Sequence, residues 1–159
     1  PVQLDAETAL ALQQLAARYW ARTDGQTTEP IGDLFTVDAR FQLGTLLLEG
    51  RAAIETFFRN RDAAQQQARR TTCHLATNMR LTATAPDRIT VHSTVLVHAG
   101  IGELPLPSTA PTGIAWFTDV CVREADGCWR FSQRDARPVF AGPDASSFAR
   151  GPQDGTRKP

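Results

Sequence analysis

No apolar run in the 159 residues approaches the roughly 20 that a membrane-spanning helix needs, so no span is expected. The first residues lack the basic start and apolar stretch of a secretion signal, and the expected compartment is the cytosol. Charge of one sign is missing too. Lys+Arg and Asp+Glu each number 17 and cancel, so the basic surface that a phosphate backbone or an anionic membrane would favour is not there. Nucleic acid and membrane are therefore not expected partners. The three cysteines, Cys73, Cys121 and Cys128, are odd in number and form no CxxC pair, which excludes a disulfide framework and fits reduced thiols. His74, His92 and His98 have neither the helical i, i+4 spacing nor the clustered carboxylates of a metal site, so no metal is expected. Phosphate-binding loops, dinucleotide fingerprints and nucleophile elbows are also absent.

What is present reads as one domain. Leu4–Arg22 repeats Leu12, Leu15, Ala16, Tyr19 and Trp20 at helical spacing, with Asp5 as N-cap and Asp24-Gly25 as the stop. Ile31–Phe35 allows a short second helix. Asp38–Leu43 and Leu46–Glu49 read as short strands about a turn at Gly44, and Arg51–Ala68 as a third helix whose core face carries Ala53, Ile54, Phe57 and Phe58. The stretch Asn60–Arg70 is polar and reads as solvated. From Thr71 the texture becomes β-branched and alternating, giving strands over Thr71–Ala83, Arg88–Ala99, Thr112–Glu124 and Cys128–Phe140. Pro86-Asp87 and Asp126-Gly127 make antiparallel hairpins, while Gly100–Pro111 is too rich in Gly and Pro to be other than an irregular loop. Residues 142–159, rich in Gly, Pro, Ser and Asp, read as a flexible tail or one draped over a neighbour. Helices segregated from an antiparallel meander imply an α+β domain, with helices on one face of a curved sheet and a pocket at its open end.

His74 is the most informative residue. A strict period of two along its strand places His74, Ala76, Asn78 and Arg80 on one face, and Cys73, Leu75, Thr77, Met79 and Leu81 on the other, the more core-like one. The first set suits either a pocket lining or the polar outer face of any half-buried strand. Asp24 either ends its helix in an Asp-Gly turn or turns its carboxylate inward to an imidazole. That bond would fix the tautomer and stabilise the imidazolium.

Tyr19-x4-Asp24, His74-x2-Thr77-Asn78-x-Arg80-Leu81 and Asp126-Gly127-x-Trp129-Arg130-Phe131 together resemble the SnoaL-like family of the nuclear transport factor 2-like superfamily, over about residues 5 to 140. The resemblance implies a cone-shaped α+β barrel, three N-terminal helices packed on a curved, mainly antiparallel sheet, over residues 1–141. The Asp plus His-x-x-Thr-Asn combination is similar to the scytalone dehydratase and hexachlorocyclohexane dehydrochlorinase branch, where an Asp–His dyad abstracts a proton during elimination. Carried over, His74 would be the base and Asp24 its orienting partner. Asn78, Arg80 and His98 would be pocket groups, Tyr19 a hydrogen-bond donor or a core aromatic, and Trp20, Phe41, Phe57, Trp116 and Phe117 apolar walls or core. Phe41 stands where the dehydratase branch has a tyrosine. The dehydrochlorinase's lysine near the end of helix one has no counterpart, since Lys158 is the only lysine.

These departures argue against either named activity. They leave a cofactor-independent lyase or isomerase for a small, mostly apolar substrate. The alternatives are a non-catalytic ligand-binding or assembly domain, and the small subunit of a ring-hydroxylating dioxygenase. Domains of this kind bury an apolar outer sheet face against another copy, so a homo-oligomer, dimer or trimer, is expected, with Leu75, Met79, Leu81, Val120 and Val122 available for it.

Overall fold

Asp5 opens the first helix, α1 (Ala6–Thr23), by accepting a hydrogen bond from the Thr8 N–H at 2.6 Å. Leu12, Leu15, Tyr19, Trp20 and Thr23 are its buried stripe, recurring every third or fourth residue. These and the following elements come from a computed structural model that describes residues 3–150. A 3₁₀ turn over Ile31–Leu34 leads into strand β1 (Phe35–Leu43), which pairs with β2 (Leu46–Glu49). Gly44 supplies the φ of 57° that their turn needs. Helix α2 (Arg51–Ala68) follows, burying Ile54 and Phe58. Four long strands complete the sheet: β3 (Arg70–Ala85), β4 (Arg88–Ile101), β5 (Gly113–Arg123) and β6 (Trp129–Ala141).

The strand order is β2-β1-β6-β5-β4-β3, antiparallel throughout except for the parallel β1–β6 pair. The sheet is curved but not closed, so the expected barrel is an open cone with β2 and β3 at its edges. The helices pack on its concave face. The core there joins Leu12, Leu15 and Tyr19 of α1 to Ile54 and Phe58 of α2 and to Val91, Val95, Phe117, Cys121 and Phe131 of the strands. Alternation is clean on β4, where Ile89, Val91, Ser93 and Val95 are buried in turn.

On β3 the strict period of two fails. The β3–β4 register runs from Thr77↔Thr94 to Arg80↔His92, so Asn78 and Met79 together oppose Ser93. This is a β-bulge, and Asn78 takes the left-handed conformation with φ 54°. Before the bulge Thr72 is buried, while Cys73, Leu75 and Thr77 are exposed. After it Met79, Leu81 and Ala83 pack against the core and Arg80 is exposed. The expected core face of β3 is therefore corrected for Cys73, Leu75 and Thr77, and Met79 and Leu81 are not available to an outer interface.

The segment assigned to a tail has structure over residues 142–150. Ala145 is buried, α3 (Ser147–Arg150) forms one turn, and the Phe148 carbonyl accepts from the Thr45 N–H at 3.3 Å. Residues 151–159, the remainder of that expected tail, lie outside the described residues.

Candidate active site

The end of α1 delivers a carboxylate to the start of β3. The Asp24 N–H donates to the Trp20 carbonyl at 2.9 Å, and Gly25 adopts φ 73° to turn the chain away. Since the backbone alone ends the helix, the side chain is free to reach across to the strand. Asp24 Oδ1 lies 2.6 Å from His74 Nδ1 and accepts from Thr72 Oγ1 at 2.9 Å, and Oδ2 accepts from the His74 backbone N–H at 2.7 Å. Side-chain exposure is 6% for Asp24 and 14% for His74. Burial alone would raise the Asp24 pKa. The bonds from His74 and Thr72, with the attraction of the imidazole, outweigh it and hold the carboxyl below its ordinary value.

The imidazole stacks on the Trp20 indole, centroids 4.6 Å apart and planes 22° from parallel. His74 lines a cavity of about 600 Å³ under the concave face, and Asp24 stands behind it, outside that lining. With Nδ1 turned to Asp24, the ring nitrogen left for the cavity is Nε2. Tyr19, Trp20, Phe41, Phe57, Phe58 and Phe117 form much of the wall, joined by Phe140 and by Ala145, Ser146, Phe148 and Ala149 of the C-terminal segment. Burial raises the Tyr19 pKa, which keeps its phenol protonated as a donor.

Beneath these aromatics Arg134 is 1% exposed and pairs twice with Asp119, Nε to Oδ1 at 2.9 Å and Nη2 to Oδ2 at 3.0 Å. Its guanidinium lies 3.9 Å from the centroid of the Tyr19 ring and 4.3 Å from that of Phe131. Burial raises the Asp119 pKa, and the ion pair opposes that. The pair holds Tyr19 from below and so fixes one side of the cavity floor.

Of the residues singled out in the sequence, His74, Tyr19 and Phe41 line the cavity and Asp24 backs it. Asn78, Arg80, His98 and Trp116 do not line it. Asn78 is spent on the bulge, which turns Arg80 to solvent. His98 sits opposite Cys73 on the convex side of β4, out of phase with buried Val95. Trp116 is 54% exposed, whereas its neighbour Phe117 points in.

Arg61, Gln65 and Thr72 were missed. Arg61 donates from Nη1 to the Thr23 carbonyl at 2.7 Å and from Nη2 to Thr72 Oγ1 at 3.3 Å, which ties α2 to the end of α1 and to β3. The expected solvated stretch Asn60–Arg70 thus has a cavity-facing side. Its signal was legible, since Arg61 and Gln65 continue the stripe of Ile54, Phe57 and Phe58 at helical spacing. Among the described residues, no group of three His, Cys, Asp or Glu is placed to hold a metal ion, and no helix is long and apolar enough to cross a membrane.

A SnoaL-like domain matches residues 5–135. None of the curated proteins matches the chain in sequence. Among solved structures the chain is similar to ActVI-ORFA from Streptomyces coelicolor, with TM-score 0.74 and 19% identity over 87% of this chain and all (100%) of that one. It is similar to a protein assigned as a scytalone dehydratase from Novosphingobium aromaticivorans, with TM-score 0.67 and 21% identity over 83% and 84% of the two chains. LinA matches with TM-score 0.69 and 22% identity over 84% and 87%. At these identities the likeness to solved structures is one of fold.

Proposed function

The chain belongs to the SnoaL-like family, and we propose that it is a cofactor-independent lyase or isomerase in which His74 takes a proton from carbon. The observation that carries this reading is the 2.6 Å contact of Asp24 with His74 Nδ1, beside a largely apolar cavity of about 600 Å³. A neutral imidazole that donates Nδ1–H to the carboxylate keeps a lone pair on Nε2, and the carboxylate stabilises the imidazolium formed when Nε2 accepts a proton. Trp20 holds the ring in plane, and Thr72 holds the carboxylate.

For a β-hydroxy carbonyl substrate, Nε2 removes the proton α to the carbonyl, and the C–H pair becomes the new C=C bond. The C–O bond breaks, and the proton held by His74 leaves with the hydroxyl as water, restoring the base. Returning the proton to a different carbon gives isomerisation by the same group. Tyr19, a phenol that is protonated at neutral pH and whose pKa burial raises further, is one donor available to an oxygen of the substrate. The apolar wall supports a small, mostly apolar substrate and excludes water from the charge that develops.

The test is turnover of a panel of cyclic β-hydroxy ketones, together with α-carbon proton exchange of the corresponding ketones in D2O. His74→Ala and Asp24→Asn should each suppress both reactions. Activity retained in both variants would sink the assignment. The same reading includes a homo-oligomer formed through the convex face, supported by Leu75 and Trp116 lying 49% and 54% exposed there.

A further inference from the structure

The polar groups of the cavity gather on one edge. Arg61 and Arg70, with Asn60, Gln65 and Thr72, stand where the C-terminal half of α2 meets the start of β3, whereas Phe41, Val95 and Phe117 form the apolar wall. Among the described residues lining the cavity there are two arginines and no aspartate or glutamate. Asp24 and Asp62 belong instead to an adjoining polar cleft, which shares Thr23, Gln65, Arg70 and Thr72 with the cavity. The cavity's own lining therefore carries cationic side chains along one edge, with the Asp24 and Asp62 carboxylates behind that edge rather than facing the cavity.

Arg61 is built to present that charge. Its bonds to the Thr23 carbonyl and Thr72 Oγ1 fix the plane of the guanidinium. Burial, the largest influence, lowers its pKa, but an arginine stays protonated at any physiological pH, so a poorly hydrated cation remains. One side chain occupies the fork between its terminal nitrogens. With the Gln65 amide turned so that its oxygen faces the guanidinium, that oxygen accepts from Nη1 at 2.7 Å and from Nη2 at 2.9 Å. A neutral amide oxygen thus sits where the geometry of arginine best receives a carboxylate. It is carried on a flexible side chain that can withdraw.

We infer that the natural ligand is an anion, a flat apolar body bearing a carboxylate that displaces Gln65 from the fork of Arg61 while the body lies among the aromatic residues beside His74. This deepens the proposed function by naming the substrate class and rests on the same cavity being the ligand site. A carboxylate on that edge sets the register of the apolar body against Nε2 of His74.

The test is calorimetric titration with 2-naphthoate and its neutral near-isostere 2-naphthamide. Wild-type protein should prefer the carboxylate by about tenfold or more, as expected for a charge-assisted, two-point contact. Gln65→Glu, which places an internal carboxylate in the fork, should lose at least that factor for 2-naphthoate and weaken 2-naphthamide, which carries no charge to be repelled, by much less. Arg61→Met should abolish the preference, and Arg61→Lys should keep part of it. Because Gln65→Glu is isosteric and Arg61 also ties three elements together, the Gln65 variant carries the decision if Arg61→Met does not fold. Equal binding of the two compounds to wild type, or undiminished 2-naphthoate binding to Gln65→Glu, overturns the inference. His74→Ala should preserve the preference while losing turnover, so failure of the base assignment and failure of the anion site are read separately.

Discussion

Replacing Asp24 by asparagine removes one charge and almost no volume, so it isolates what the carboxylate does. Its oxygens receive three hydrogen bonds, from Thr72 Oγ1, the His74 N–H and His74 Nδ1. An amide satisfies only part of that set in either orientation. With its oxygen at the Oδ1 position, it keeps Nδ1 and Thr72 but sets an NH2 against the His74 N–H. With its oxygen at the Oδ2 position, it donates to Nδ1, drives the proton to Nε2 and removes the lone pair that serves as base. Even the better orientation loses the attraction between carboxylate and imidazolium, about 4 kcal/mol for a close pair in a protein-like dielectric. That corresponds to about a thousandfold in rate. The assay is the proton-exchange and turnover measurement on the ketone panel. Loss of less than tenfold would refute the role given to Asp24. The same substitution has a signature in stability. Because the folded-state pKa of Asp24 lies below its unfolded value, ionised Asp24 stabilises the fold above the unfolded pKa, and that stabilisation is lost as pH falls through the lower folded value. Asp24→Asn should therefore flatten the acid limb of a plot of melting temperature against pH.

Arg134→Met should cost roughly 3–5 kcal/mol, because it leaves Asp119 buried without its partner. Burial already raises the Asp119 pKa and Arg134 opposes that rise, so without the guanidinium the folded pKa climbs further and the variant loses additional stability as pH rises above the unfolded value. The variant's thermal deficit should thus shrink in acid, and a deficit independent of pH would contradict the account. Asn78→Gly should be close to neutral in urea denaturation, and Asn78→Val should cost about 1–2 kcal/mol, since a β-branched residue resists the left-handed conformation. Equal stability of the two would remove the bulge as the reason for asparagine there. Trp116→Glu should lower the mass seen by light scattering if copies associate through the convex face. A wild-type monomer at micromolar concentration would refute the oligomer.

The elements legible in the sequence were those in which local and global preferences agree. The α1 stripe from Leu12 to Trp20 recurs at 3.6-residue spacing and is buried as such, and Arg51–Ala68 is helical over the expected residues. Pro86-Asp87 and Asp126-Gly127 fix two hairpins through backbone preferences that need no tertiary context. Asp24 and His74 are 50 positions apart, so no periodicity could pair them, and only likeness to a family suggested it. Arg61 was hidden for a different reason. Its charge implied solvent, yet it continues the stripe begun by Ile54, Phe57 and Phe58, and phase on the helix prevailed over polarity. Arg134 and Asp119 repeat the lesson on the strands. Each lies at an inward position and enters the core because the other neutralises it.

The bulge at Asn78 links the fold to the site. A strand of 16 residues with unbroken alternation presents one parity inward along its whole length. On β3 that would force a choice, with either Thr72 and His74 facing the cone or Met79, Leu81 and Ala83 doing so, because the two groups differ in parity. The first group supplies the imidazole and the hydroxyl that hold Asp24, and the second packs against the apolar core. One extra residue, absorbed opposite Ser93, shifts the phase by one and lets both groups point inward. Asparagine tolerates the left-handed conformation that this requires at lower cost than most side chains. The strained residue thus acts without touching the cavity: it lets one edge strand line a polar site at one end and complete an apolar core at the other.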